Sequence, residues 1–245
     1  MMNLHILPDT DALIQAYAGY LAGHIEAAIM DHDSCSLVLT GGNSPKGAYR
    51  LLTQSPWRDQ VDWSKVTFFF GDERYVPPDH ERNNARMATT ILLDPLGIPA
   101  SRIHRINTKL SPEESAKEYA VTIQRYFHNQ PAAFDLLLLG LGDNAHTASL
   151  FPHTSIIQET AATVVSLYVS DEDEFRISMS APLINQARQV SVLAFGSAKA
   201  SAVHQVIEGE WDPVNYPAQL IRPVSNPVDW FLDEQAAALL SNPIR

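Results

Sequence analysis

The amino-acid sequence predicts an α/β protein with three α/β/α layers, in which helices cover both faces of a mostly parallel, Rossmann-like sheet. Short apolar runs alternate with helical stretches along the chain, a pattern typical of parallel sheets. The run at residues 135–139 is apolar almost throughout, as expected for a strand that is covered on both faces. No Ser/Gly-rich linker divides the 245 residues, so we expect a single domain over residues 1–245.

The helices are predicted from their caps, their apolar periodicity and their prolines. Asp9 can cap a first helix whose apolar face runs from Leu13 to Ala28. Pro45 opens the next helix, to about residue 53, because proline suits a first helical turn. Further helices are expected at residues 83–93, at 112–127, from 197 to about 208, and after Asp233, which can cap a closing helix of alanines and leucines.

The strands are predicted from apolar runs that end at glycines or polar turns. Residues 37–40 end at the Gly41-Gly42 pair, and residues 66–70 end at Gly71. In parallel sheets ligands bind beyond the carboxyl ends of the strands, so the loops that follow the strands form the candidate site. Further strands are expected at residues 135–139, 164–169, 175–180, 190–195 and 228–232.

Composition and charge exclude several classes of function. Apolar residues make up 45% of the chain and charged residues 18%, which is typical of a globular protein and not of a disordered one. The net charge of −11 argues against a nucleic-acid binder, which needs a basic face. The single cysteine, Cys35, excludes an intrachain disulfide and a cysteine-based zinc site, and is expected to be a buried apolar side chain.

No segment of the sequence has the character of a membrane span or a signal peptide. The first residues lack the basic region and the apolar stretch of a signal peptide. The longest strongly apolar runs, at residues 66–70 and 136–139, are too short to cross a bilayer. We therefore expect a cytoplasmic protein with no membrane partner.

The loop after the first predicted strand can bind an anion. Gly41 and Gly42 let the backbone approach a ligand closely, and Ser44 can donate its hydroxyl beside Asn43. The start of the following helix adds free N–H groups, which suits a phosphate. The alternative is an ordinary strand-to-helix turn. A Walker loop is excluded because its spacing is absent.

Charged side chains follow the second predicted strand. Arg74 could bind an anionic group of a substrate or a developing oxyanion. Asp72 or Glu73 could act as a base or orient Arg74. Taken alone, these residues would also fit a solvated charged turn.

The loop after the strand at residues 135–139 carries a histidine. Gly140, Gly142 and Ala145 fit the dinucleotide-binding fingerprint, but His146 would crowd the pyrophosphate, and the motif lies past the middle of the chain. We favour His146 as a general base, because an imidazole titrates near neutral pH. A structural histidine is the alternative to this interpretation.

Two further cations lie near predicted strand ends. Arg176 falls on a predicted strand, and Lys199 falls in the first turn of a predicted helix, where a lysine opposes the helix dipole unless it binds an anion. A surface lysine is the alternative.

These motifs together resemble the 6-phosphogluconolactonases. They occur in the order found in that family, over the chain from about residue 40 onward, and the closing Trp230-Phe231-Leu232-Asp233 is similar as well. The motifs are Thr40-Gly41-Gly42-Asn43-Ser44-Pro45, Gly71-Asp72-Glu73-Arg74-Tyr75-Val76, His146-Thr147-Ala148-Ser149-Leu150-Phe151-Pro152 and Gly196-x-x-Lys199-Ala200.

The resemblance implies a carboxylic-ester hydrolase that opens 6-phosphoglucono-δ-lactone in the pentose phosphate pathway, without a metal or an organic cofactor. It also implies an α/β/α fold shared with glucosamine-6-phosphate deaminases, and we expect a monomer or a weak homodimer. The implied catalytic residues are His146 as general base, Asn144 and Arg74. The implied substrate-binding residues are Gly41, Gly42, Asn43, Ser44, Asp72, Arg176 and Lys199.

One departure from the family pattern bears on activity. The family motif reads Asp-Gly-His, whereas this chain reads Asn144-Ala145-His146. An amide can orient the imidazole but lacks the charge that stabilises its protonated form, and in a serine protease the same change lowers turnover roughly 10⁴-fold. A δ-lactone is a more reactive electrophile than an amide, so we expect a smaller loss. Asp143 lies one position before Asn144, so its side chain does not simply replace the aspartate of the family motif, although the geometry of the loop could still admit it.

Three alternatives stay open. A catalytically impaired sugar-phosphate-binding paralogue is supported by Asn144 alone. A hexosamine-6-phosphate deaminase or isomerase would carry an acidic residue at position 151, where this chain has Phe151. An NAD-dependent oxidoreductase rests only on the match to the dinucleotide-binding fingerprint.

Overall fold

The computed structural model describes residues 2–241 and confirms the predicted α/β fold class. Nine strands are found in these residues. They are β1 (Met2–Leu7), β2 (Cys35–Leu39), β3 (Val66–Phe70), β4 (Asp72–Arg74), β5 (Leu136–Gly140), β6 (Val164–Val169), β7 (Glu174–Met179), β8 (Val190–Ala194) and β9 (Val228–Asp233).

Six of these strands form the main sheet, in the order β1-β9-β8-β5-β2-β3, and every neighbouring pair is parallel. All residues of β2, β3 and β8 are buried. Because successive side chains point to opposite faces, both faces of these strands are covered. The carboxyl ends meet at one edge, as in the pairing of Leu39 with Phe70, so the loops that follow them converge there.

Seven α-helices connect the strands within the described part of the chain. Asp9 caps the first, as predicted, by accepting a 2.8 Å hydrogen bond from the Ala12 N–H, and Ser111 with Glu114 forms a capping box on the fifth. They are α1 (Thr10–His32), α2 (Lys46–Leu52), α3 (Trp57–Gln60), α4 (Asn84–Ala88), α5 (Pro112–Tyr126), α6 (Ala181–Ile184) and α7 (Ala200–Ile207).

A second, antiparallel sheet lies beside the first, in the order β4-β7-β6. Its strands β6 and β7 were predicted, but the sequence did not indicate that they leave the main sheet. Arg74 on β4 pairs in register with Arg176 on β7. This sheet therefore brings two guanidinium groups from distant parts of the chain to one place.

The chain termini depart from the prediction. Strand β1 was missed; it is a partly exposed edge strand with polar residues, and its apolar pattern is weak. The predicted closing helix is wrong, because residues 234–239 form turns. The Asp233 carboxylate accepts hydrogen bonds from Gly196, Ala236 and Thr10, so it joins three segments instead of only capping a helix. Tertiary contacts here override the helix propensity of alanine and leucine.

Two predicted helices differ in their details. The helix expected at residues 83–93 is α4 followed by a π-helical turn at Thr89–Leu93. The helix expected from residue 197 begins as a 3₁₀ turn at Ser197–Lys199 and continues as α7. Between residues 2 and 241, no helix combines the length and the apolar character needed to cross a membrane.

Candidate active site

A cleft of about 510 Å³ opens at the carboxyl edge of the main sheet. Every residue that the family resemblance implies for the site lines it, except Asn144, which contacts one that does. The predicted residues that line the cleft are Gly41, Gly42, Asn43, Ser44, Asp72, Arg74, His146, Arg176 and Lys199.

Asn144 fixes the tautomer of His146. Its Oδ1 atom lies 2.6 Å from Nδ1 of His146 and also accepts the backbone N–H of His146 at 3.2 Å. A backbone N–H needs an acceptor, so the amide must present its oxygen here and not its NH₂ group. Nδ1 of His146 therefore carries the proton, and Nε2 keeps the lone pair that a general base needs.

The imidazole of His146 lies between a glycine and an aromatic ring. A Cβ atom on Gly142 would lie 2.1 Å from Nδ1 of His146, so only glycine leaves room for the ring. The Phe151 ring stacks on the imidazole, with centroids 4.1 Å apart and an interplanar angle of 21°. Ala145, where the family pattern has glycine, takes a left-handed φ of 60° that is strained for a side-chain-bearing residue.

The surroundings of His146 keep its imidazole uncharged. Burial lowers the pKa of His146 to about 4, with further lowering by the charges of Arg176, Lys199 and Arg74, while Asp143 acts in the opposite direction. The imidazole is therefore uncharged at neutral pH in the ligand-free protein, and its Nε2 atom is free to accept a proton.

Asp143 contacts a lysine and not the histidine. Its Oδ1 atom lies 2.5 Å from Nζ of Lys199, so this exposed carboxylate holds the lysine at the rim of the cleft. The direct partner of His146 Nδ1 is the neutral amide of Asn144. Asp143 thus does not replace the aspartate of the family motif at the position that touches the imidazole.

Arg74 is positioned by groups that the sequence analysis did not single out. One of its terminal nitrogens donates to Asn84 Oδ1 and to the Arg82 carbonyl, each at 3.0 Å. Gly41 packs against Asn84 so closely that a Cβ atom would lie 2.0 Å from its Oδ1 atom. The Gly41-Gly42 loop and Arg74 are therefore fixed to each other through Asn84.

The carboxylates of Asp72 and Glu73 hold the loops around the cleft. Glu73 is fully buried and accepts backbone N–H groups from Arg74, Asn84 and Ala85 at 2.7–2.9 Å. Asp72 accepts the Ser149 hydroxyl at 2.7 Å, although it also lines the cleft. Glu73 therefore fixes the backbone at Arg74, and it does not line the cleft as a base would.

Arg176 is buried and is held by two carboxylates. Its terminal NH2 nitrogen lies 3.0 Å from Glu172 and 3.2 Å from Glu174. The guanidinium carbon lies 5.8 Å from the centre of the Phe151 ring. Its Nε–H is buried and has no hydrogen-bond acceptor in residues 2–241.

The structure argues against the dinucleotide-binding alternative. A fingerprint loop needs a helix directly after the strand, but residues 141–151 form turns and bridges after β5. The described residues also contain no group of three or more His, Cys, Asp or Glu side chains placed to hold a metal ion.

Three residues of the site escaped the sequence analysis: Asn84, Phe151 and Glu172. Asn84 had a signal, since it stands in the polar start of a predicted helix. Phe151 was noted only as the residue that replaces an acid. Glu172 gave no signal, because a carboxylate in a polar turn is the usual appearance of a solvated surface loop.

The fold and the cleft define an α/β enzyme that holds a neutral histidine beside three cationic side chains. The family model of glucosamine-6-phosphate isomerases and 6-phosphogluconolactonases matches residues 8–230. The chain belongs to this family, and the resemblance seen in the four motifs is confirmed.

Similar proteins carry names from the lactonase branch of the family. A 6-phosphogluconolactonase of Synechocystis is 37% identical over 238 residues, which covers 96% of each chain. One from Nostoc is 37% identical over 244 residues, or 98% of each chain. The structure of 6-phosphogluconolactonase from Trypanosoma cruzi superposes with a TM-score of 0.88 at 26% identity, over 99% of this chain and 98% of that one. The predicted enzyme class, a carboxylic-ester hydrolase, is confirmed.

Proposed function

We propose that this protein hydrolyses 6-phospho-D-glucono-1,5-lactone to 6-phospho-D-gluconate, with His146 as the general base. The observation that carries the proposal is the 2.6 Å contact between Nδ1 of His146 and Oδ1 of Asn144, which leaves Nε2 unprotonated in a ligand-sized cleft. The names of the similar proteins support the choice of substrate.

The reaction needs one proton acceptor and no covalent nucleophile. Nε2 of His146 takes a proton from water while the water oxygen bonds to the lactone carbonyl carbon. The tetrahedral oxyanion then collapses, the bond from this carbon to the ring oxygen breaks, and His146 returns its proton to that oxygen. The water is thus divided between the new carboxyl group and the new hydroxyl group.

In this proposal some cations of the cleft bind the phosphate and another stabilises the oxyanion. Arg176 and Lys199, with the Gly41-Gly42 loop, hold the phosphate, because the two cations and the loop line the same cleft. Arg74 faces the lactone oxygens and stabilises the oxyanion. The phosphate also offsets cations that lower the pKa of His146, so the base gains strength when substrate binds.

The amide of Asn144 shapes the expected rate. It orients the imidazole but adds no negative charge when His146 becomes protonated. We expect active but slowed catalysis, since a δ-lactone is reactive. A role in the pentose phosphate pathway, a cytoplasmic location, chemistry without metal or organic cofactor, and a monomeric or weakly dimeric state belong to the same proposal.

Two other functions compete with this one. A sugar-phosphate-binding paralogue with impaired catalysis is favoured by Asn144, because the family pattern has a carboxylate there. A hexosamine-6-phosphate deaminase or isomerase is disfavoured, because Phe151 stands where that chemistry has an acid and is stacked on His146.

The test is hydrolysis of freshly generated 6-phosphogluconolactone, with spontaneous opening subtracted, by wild type and by His146→Ala. We expect clear wild-type activity, and a fall in kcat of about 10²–10⁴-fold in the variant, with KM changed little. Binding of 6-phosphogluconate by both proteins, measured calorimetrically, controls for folding. Equal activity of the two proteins would exclude His146 as the base. Binding without wild-type turnover would favour the paralogue.

A further inference from the structure

The two carboxylates that contact Arg176 differ in burial and in the number of ion pairs they make. The Glu174 side chain is 7% exposed and also contacts Arg82 at 2.8 Å, so it is a fixed counterion. The Glu172 side chain is 44% exposed, and among residues 2–241 its only ion pair is the one with Arg176. A buried carboxylate such as Glu174 would lose its partner without gaining contact with water, which is costly. The exposed Glu172 carboxylate can turn into water instead, so of the two only Glu172 can separate easily from Arg176.

Glu172 stands at the junction of two cavities. It lies in the turn Ser170–Glu172 between β6 and β7, and it lines both the cleft and an adjoining cavity of about 480 Å³. Arg74 and Arg176 line both cavities as well. The Glu172 carboxylate therefore contacts Arg176, one of the groups that the proposed function assigns to the phosphate.

The charges around Arg176 make Glu172 an unfavourable neighbour for a phosphate. Glu174 pairs with both Arg82 and Arg176, and Glu172 places a second carboxylate on Arg176, beside the phosphate position. Two negative groups that contact the same guanidinium repel each other, by an amount that depends on how much water lies between them. A phosphate oxygen that bonds to the terminal NH2 nitrogen of Arg176 must displace Glu172 or bear this repulsion.

We propose that Glu172 competes with the substrate phosphate for Arg176 and thereby sets the affinity of the cleft for phosphorylated ligands. It occupies the guanidinium in the ligand-free protein and leaves when a sugar phosphate binds. Because the product of lactone opening keeps its phosphate, the same competition speeds product release. This inference rests on the proposed function only in placing a phosphate at Arg176.

The test compares Glu172→Gln with Asp171→Asn. The first variant removes the charge but keeps an oxygen that can accept from Arg176. The second removes the same charge one position earlier, where the exposed side chain has no ion pair with Arg176 in the described structure. Affinity for 6-phosphogluconate is measured by isothermal titration calorimetry, which needs no turnover, so failure of the lactonase assignment does not affect the result.

We expect Glu172→Gln to bind 6-phosphogluconate about five- to tenfold more tightly than wild type, with a matching fall in KM, while Asp171→Asn stays within twofold. The gain should shrink as salt is raised, because screening weakens the repulsion. Unphosphorylated gluconate, used as a control ligand, should show no gain. Unchanged or weaker binding by Glu172→Gln overturns the proposal, since Glu172 would then only orient Arg176.

Discussion

His146 and Arg176 face the same cleft, yet their neighbours differ in kind. His146 contacts an amide, a glycine and an aromatic ring, none of which carries a charge. Arg176 contacts two carboxylates. The uncharged contacts favour the neutral form of the imidazole, whereas the carboxylates at Arg176 are counterions for a guanidinium that is always charged.

Asn144 gives His146 an uncharged partner where a carboxylate would also fit. A carboxylate beside His146 would favour the imidazolium. With the amide, the imidazole is oriented at 2.6 Å without that stabilisation. This chain therefore keeps the geometry of a base with its orienting partner and gives up the charge of the partner.

Among changes to the neighbours of His146, the largest effect is expected from displacing the imidazole. In Gly142→Ala the new Cβ atom would lie 2.1 Å from Nδ1 of His146, so the ring must move. A displacement of about 1 Å can lower turnover by about 10²-fold, and we expect kcat to fall by that order with KM little changed.

The matched control for this change is Gly140→Ala. A Cβ atom at Gly140, the last residue of β5 and two positions before Gly142, would meet nothing within 4 Å. We expect kcat of this variant to stay within about threefold of wild type. If both variants lost activity equally in steady-state assays, the position of the imidazole would not be what matters at Gly142.

A smaller effect is expected when the histidine is given the kind of partner that Arg176 has. Asn144→Asp places a carboxylate at Nδ1 of His146, and an adjacent opposite charge raises a histidine pKa by about 1–3 units. The acid limb of the kcat/KM profile should move up accordingly, so activity at pH 5 falls relative to activity at pH 8. At pH 8, kcat should rise several-fold, because the imidazolium formed in the reaction is stabilised.

Both proteins share any limb that comes from ionisation of the substrate phosphate, so their difference isolates the enzyme group. Superimposable pH profiles for wild type and Asn144→Asp would mean that the partner at position 144 does not influence the base.

The parts of the fold that the sequence predicts are those with strong local signals. The buried strands carry uninterrupted apolar runs, and the loops after them carry glycines and polar residues, so β2, β3, β5 and the cleft at their carboxyl ends follow from pattern alone. Strand β1 lacks such a run, and it forms because β9 offers a parallel edge for it. The closing alanines and leucines indicate a helix, but contacts made by Asp233 decide otherwise.

The site was predictable residue by residue where a side chain has an unusual position, as His146 and Arg74 do after strands. The pairing of Arg74 with Arg176 depends on a second sheet that brings distant segments together, and no local pattern encodes it. Glu172 shows the same limit, since its meaning comes from the guanidinium it touches and not from its own turn.

The most direct test of this account is a ¹⁵N NMR titration of His146 in the ligand-free protein, with the signal assigned by comparison with His146→Gln. The account predicts the Nδ1–H tautomer at neutral pH and a midpoint near pH 4, because burial and the surrounding cations lower the pKa to about 4. The midpoint should rise when 6-phosphogluconate binds. A midpoint at or above the ordinary value of about 6.5, or an Nε2–H tautomer at neutral pH, would contradict the account.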